Sequence, residues 1–170
     1  MIYLYAIIQV LLFPLAILYS HCMEWALHRY LLHGIGKNKE SIWSFHWSRH
    51  HKNARKNNFY DKDYEEDWTG APLKEKISLC LLLLLHLPLI IVAPLFFAGL
   101  VVGAYKYYTT HKYAHLHPIW GKVFLTWHYD HHMGKNQDAN WGVTTDWVDN
   151  LMKTRILNYE HNKKKTNRDY

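Results

Sequence analysis

Residues 2 to 19, IYLYAIIQVLLFPLAILY, carry no charge and a single amide, Gln9. Eighteen helical residues rise about 27 Å, close to the hydrocarbon thickness of a bilayer, so this stretch reads as a membrane-spanning helix. Pro14 inside it offers a kink. No positive stretch precedes it and no small-residue cleavage site follows, which argues against a removed signal peptide. The helical pattern runs on through SHCMEWALHRYLLH until Gly34 and Gly36 stop it. A second apolar region, ISLCLLLLLHLPLIIVAPLFFAGLVVGAY, covers residues 77 to 105. It is too long for one crossing and slightly short for two. Pro94 supplies a break, so the expected form is a hairpin with arms over 74–93 and 95–112. Whether its arms cross or re-enter, the chain returns to the side it left.

The placement of the basic residues says more than the net charge of +6. No Lys or Arg occurs before Arg29 or between Lys76 and Lys106. Ten lie from Arg29 to Lys76 and ten from Lys106 to Arg168. A nucleic-acid binder would string its cations along one polar face without such gaps. The alternation instead follows the positive-inside rule. The expected protein is therefore multi-pass, with its N-terminus outside and its basic parts and C-terminus cytoplasmic. Segments 34–73 and 113–170 read as short helices and loops at the membrane surface. YDKDYEEDW, residues 60–68, reads as a solvated acidic loop. NKKKTNRDY reads as a disordered basic tail, over about 160–170, suited to anionic lipid. Cys22 and Cys80 form no C-x-x-C pattern and read as small buried hydrophobes. The length suits one domain over 1–170.

Ten of the 14 histidines fall into four clusters. HRYLLH gives His28 and His33. HWSRHH gives His46, His50 and His51. HKYAH gives His111 and His115. HYDHH gives His128, His131 and His132. Folding the hairpin brings all four clusters beneath one membrane face. In a helix, residues three or four apart share a face. His46 with His50, His111 with His115, and His128 with His131 and His132 should then point the same way. His51 could turn to a second centre. His28 and His33, five apart, need a distorted helix end or ligation from different angles. Neutral imidazole binds iron, zinc, copper and nickel, and ten rings suit a pair of ions better than one. A lone H-x-x-x-H is more often coincidence, but four clusters on one face are not. Glu24, one turn before His28, is the strongest candidate to hold a ligand's outer N–H. Asp130, Asp146 and Asp149 are others. His21 and His117 adjoin clusters, and His161 lies in the tail. His86, inside LLLLLHLPL, reads as a neutral ring bonded to a neighbouring helix.

Together these features predict an all-α integral membrane protein: one N-terminal transmembrane helix, a helical membrane hairpin, and short surface helices carrying the histidines on one side. The clusters resemble the histidine boxes of the fatty acid hydroxylase and sterol desaturase superfamily, membrane-bound di-metal oxygenases. EWALHRYLLH is similar to the first box of the fatty acid 2-hydroxylase branch. HWSRHH, HKYAH and HYDHH are similar to the next three, and NWGVTTDWVDNLMKT to the segment after the last. HWSRHH has three residues between His46 and His50 where that branch commonly has two, LMKT lacks a Gly often found there, and no cytochrome b5-like domain is fused. The resemblance implies hydroxylation of a lipid acyl chain with O2, at two metal ions held by the ten histidines. Iron is the expected metal, with zinc open to isolated material. It implies no catalytic residues beyond those ligands, no bound organic cofactor, a lipid substrate drawn from the bilayer, and electrons from a separate donor protein. Sterol or carotenoid oxidation and desaturation stay open within the superfamily. A non-catalytic metal-binding or metal-transport protein is the alternative of another class.

Overall fold

The computed structural model describes residues 2–66 and 68–157, and no strand occurs among them. Helix α1 (Ile2–Ala26) runs unbroken through Pro14 and continues directly as a π-helix, Leu27–Ile35. These 34 residues form the one described helix that is long and apolar enough to cross a bilayer. Gly36 ends it, its N–H bonding to the Leu31 carbonyl at 2.9 Å. A Cβ at that position would collide with the Leu32 carbonyl, so the stop requires glycine.

The chain then forms a second π-helix (His46–His51), α2 (Lys52–Lys56) and a 3₁₀ turn (Lys62–Glu65). Next come α3 (Gly70–Leu85), the single turn α4 (Leu89–Val92) and α5 (Pro94–Leu116). The expected arms over 74–93 and 95–112 are thus displaced. The first ends at Leu85, because Pro88 lacks an N–H and disfavours the helical conformation in Leu87 before it. The second begins at Pro94, at a position where a proline's missing donor costs nothing, and runs on to Leu116. The 16 residues of α3 rise about 24 Å, less than a full hydrocarbon core.

Helices α1 and α5 pack closely because small residues face each other. A Cβ on Gly99 would stand 2.6 Å from that of Ala16 and 2.8 Å from the Phe13 carbonyl, and one on Gly103 would strike Ser20. Such a small-xxx-small stripe lets two helix backbones approach closely. Gln9 secures the far end by donating to the Val92 carbonyl at 3.2 Å. His86 bonds to the neighbouring helix, its Nε2 3.1 Å from the Tyr19 hydroxyl.

Helices α6 (Pro118–Phe124), α7 (Thr126–Met133) and α8 (Trp147–Leu151) close over one end of this bundle with the two π-helices. Two aromatic cores hold the closure. Trp25, Trp141 and Val148 form one; Phe59, Ala114 and Leu125 form the other. Cys22 and Cys80 are free and exposed rather than buried, since they sit on helix faces that no neighbour covers. Asp67, His161 and the tail over 160–170 lie outside the described residues.

Candidate metal centre

The two π-helices decide how the histidines converge. A π-helix closes its hydrogen bonds between residues five apart, so those residues stack on one face. His28 and His33 lie on the first and His46 and His51 on the second. These four, with His131 of α7, form one buried group whose ligand atoms all lie within 4.8 Å of one another. His50, His111, His115 and His132 form a second group by the same measure. His128 stands beside the second, its Nε2 3.1 Å from that of His115.

Two expectations of shared direction are corrected. His46 and His50, four apart, separate because the π-register pairs His46 with His51 instead. His128, His131 and His132 also do not face one point. Positions i, i+3 and i+4 of a helix fan over roughly 100°, and α7 lies along the boundary, giving His131 to one group and His132 to the other.

The outer nitrogens fix the ring tautomers. Nδ1–H of His28 donates to the Trp141 carbonyl at 2.6 Å, that of His115 to the Phe59 carbonyl at 2.8 Å, and that of His131 to the Ala139 carbonyl at 2.7 Å. His50 donates to Asp61 at 2.8 Å, and His111 to Glu75 at 2.7 Å. Carbonyls and carboxylates only accept, so each Nδ1 carries the proton and each Nε2 presents a lone pair inward. Those inward atoms meet at short range. In the first group the Nε2–Nε2 separations are 2.9 Å for His28–His46, 3.0 Å for His33–His51, 3.1 Å for His51–His131 and 3.2 Å for His46–His51. Two nitrogens each about 2.1 Å from one ion, at a right angle, stand about 3.0 Å apart. In the second group Nε2 of His50, His111 and His132 is buried with no hydrogen-bond partner among the described residues. Inward lone pairs this crowded fit cations between them.

Burial, reinforced by neighbouring imidazoles, holds His46, His51, His128 and His132 well below their ordinary value; His131 is held there too, although its bond to Ala139 opposes the shift. All five stay neutral, the ligating form. Burial acts to raise the Asp61 carboxyl, but the bonds from His50, the Asp63 amide and Asn53 outweigh it and hold it below the carboxylate range.

The supports differ from those expected. Glu24 forms no hydrogen bond to a histidine among the described residues; it accepts from the amides of Val143 and Thr144 and from the Thr144 hydroxyl. Asp149 accepts from the Trp141 and Gly142 amides at 2.9 and 2.7 Å, and Asp146 pairs with Arg155. These acids fix the 139–144 segment, whose carbonyls hold His28 and His131. Asp130 is buried, 3.8 Å from Arg155. His21 accepts from the Trp147 indole, and His117 packs on Tyr113. Asp61 and Glu75 are the carboxylates that sequence reasoning missed. The loop over 60–68 is no solvated loop throughout: Asp61, Asp63 and Tyr64 are buried. Phe59 also adopts a left-handed φ of 78°, rare for a bulky residue. That turn brings its carbonyl to His115 and lays its ring 4.3 Å from the same imidazole.

An apolar cavity of about 350 Å³ leads to both groups. Leu27, Leu31, Leu79, Leu82 and Leu100 line its walls, and His28, His46 and His50 close its inner end. Glu75 and Tyr64 stand at that end too, with the Tyr64 hydroxyl donating to Glu75 at 2.6 Å. The model of the fatty acid hydroxylase family matches residues 13–154. The chain belongs to the fatty acid hydroxylase family. Comparison with curated proteins and with solved structures finds no match. This is a membrane family of oxygenase type and is typically di-iron. Its histidine groups could bind metal ions and are compatible with a di-metal oxygenase.

Proposed function

We propose that this fatty acid hydroxylase family member is a membrane-embedded di-metal oxygenase that hydroxylates a lipid acyl chain, with electrons from a separate donor. The observation that carries the reading is the leucine-lined cavity ending on His28, His46 and His50, where both histidine groups meet. Bound metal, iron in this reading, supplies the power to activate O2 against an unactivated C–H bond, beyond the reach of side-chain acid–base chemistry. The ten histidines are the proposed ligands: His28, His33, His46, His51 and His131 for one ion, His50, His111, His115 and His132 for the other, with His128 beside them.

The chain's own residues supply the rest. Leucines exclude water and align an extended acyl chain. Asp61, Glu75 and the carbonyls of Phe59, Ala139 and Trp141 keep each Nε2 lone pair free and aimed. Tyr64 donates to Glu75, holding a proton on its own oxygen beside the reacting end. Helix α1 crosses the bilayer in this proposal, and α3 and α5 enter it as a hairpin. Large apolar side chains exposed on all three, such as Leu11, Leu85 and Tyr105, support lipid contact. The basic flanks support a cytoplasmic site. The whole forms a single domain in this proposal, and its boxes resemble those of the 2-hydroxylase branch. A cavity walled by leucine suits a hydrocarbon chain rather than a migrating ion, which favours hydroxylation over metal transport.

The test is comparative lipid mass spectrometry on one host expressing either this chain or its His131→Ala variant, with a competent reductase. A lipid gaining one oxygen only with the intact chain supports the proposal. Loss of two hydrogens without added oxygen replaces it with desaturation, and identical lipids in both strains overturn it.

A further inference from the structure

A second recess, of about 740 Å³, reaches the first histidine group and shares no lining residue with the apolar cavity. His51 and Trp47 lie in it, and five cations surround them: Lys37, Lys39, Lys52, Arg55 and Lys56. Between residues 34 and 57 the sequence holds six Lys and Arg against one acid, Glu40. Asp138 neutralises Lys37 at 2.6 Å. Arg55 donates only to the uncharged carbonyls of His132 and Gly134, and keeps its charge. Lys39, Lys52 and Lys56 are exposed and form no ion pair among the described residues. The mouth is therefore strongly positive.

At its inner end, His51 differs from five of the other histidines of the centre. Backbone carbonyls or carboxylates seal the outer nitrogens of His28, His50, His111, His115 and His131. Nδ1 of His51 instead meets the side-chain amide of Gln137 at 3.0 Å, and Gln137 itself lines the recess. The Trp47 ring packs 5.1 Å from His33 and 5.2 Å from His51. A half-buried indole thus joins the recess to two imidazoles of the first group.

We infer that this recess is the docking site for the electron donor, a small one-electron carrier protein with an acidic face. The inference rests on the hydroxylase reading. In each turnover RH, O2, two electrons and two protons give ROH and H2O: a C–H bond breaks, a C–O bond forms, and the second oxygen leaves as water. The donor is oxidised twice, one electron at a time, and the protons come from solvent. Charge complementarity at such a mouth steers the acidic partner and sets its register. A flat headgroup layer would meet protruding cations, whereas these ring a concavity that ends on a buried imidazole.

The test places the full chain, metal-loaded, in phosphatidylcholine nanodiscs with reduced acidic [2Fe–2S] ferredoxin as the probe. Lys52→Glu/Lys56→Glu reverses two exposed charges that form no ion pair among the described residues. The variant is expected to raise KM for ferredoxin about tenfold and to flatten its salt dependence. Direct binding of ferredoxin to the nanodiscs weakens in parallel, while metal content stays unchanged. Turnover driven by H2O2, which needs no donor electrons, stays unchanged as well. Product with reduced ferredoxin and with H2O2, with KM and binding unmoved in the variant, overturns the docking site alone. A defect that appears only when the nanodiscs contain phosphatidylserine assigns the cations to anionic headgroups and overturns it too. No product from the intact chain with either source overturns the hydroxylase reading, and the docking site with it.

Discussion

His50 and His51 are adjacent in the chain, yet their rings stand at 84° and belong to different histidine groups. Each should therefore serve a different ion. His50→Ala and His51→Ala are each expected to lose about half of the bound metal, and the double variant nearly all. Metal-to-protein ratios measured by elemental analysis check this. Loss of all metal from either single variant would show one shared site instead.

Asp61 is wholly buried and accepts from His50 at 2.8 Å. Asp61→Asn keeps the shape but replaces an acceptor-only carboxylate, and Asp61→Ala leaves the His50 N–H unpaired. Metal affinity should fall by about ten- to a hundredfold, most in the alanine variant. Chelator competition measures it, and equal affinity in all three proteins would remove Asp61 from the centre.

The pH dependence follows from neutral buried imidazoles. His46, His51, His128, His131 and His132 sit below the ordinary value of 6.5, burial being the main cause. Below 6.5 the unfolded chain takes up protons that the folded chain refuses, so stability is full above that pH and falls as pH drops through it. Bound metal sharpens the loss, because protons compete for the same lone pairs. Thermal melts between pH 8 and pH 5 should show a flat upper region and a steep decline below about 6.5. A midpoint unchanged at pH 5 would contradict neutral burial.

Leu82 lines the apolar cavity and belongs to neither histidine group. Leu82→Trp fills space that an acyl chain would occupy. Product formation should fall at least about tenfold with metal content intact, since roughly one side chain of misfit costs 1–3 kcal/mol. Undiminished turnover would place the substrate elsewhere.

Gly99 lies against Ala16 and the Phe13 carbonyl. Gly99→Val forces α1 and α5 apart at a cost of about 1–3 kcal/mol. Lowered thermal stability and partial metal loss are expected, because the π-helix that continues α1 carries His28 and His33 while α5 carries His111 and His115. Unchanged melting would mean that the helices can separate freely at this point.

The sequence by itself determined the apolar first helix, and it marked a helix break near Pro94 and ten histidines in four clusters. Each follows from local chemistry: unbroken apolarity, a missing N–H, and imidazoles too numerous for chance. The spacing of His28 and His33 left a distorted helix end and ligation from different angles both open, and the π-helix is the first of these. Only the tertiary structure decided which ring joins which group. That division depends on the π-register of 27–35 and 46–51 and on how α7 lies across the boundary, and both are set by packing. The supports were equally hidden. Asp61 looked like one acid among five in a polar loop, and Glu75 like the end of a helix; burial beside His50 and His111 gave them their roles. The carbonyls of Phe59, Ala139 and Trp141 belong to the backbone, which every residue shares, so no side-chain pattern could have marked them.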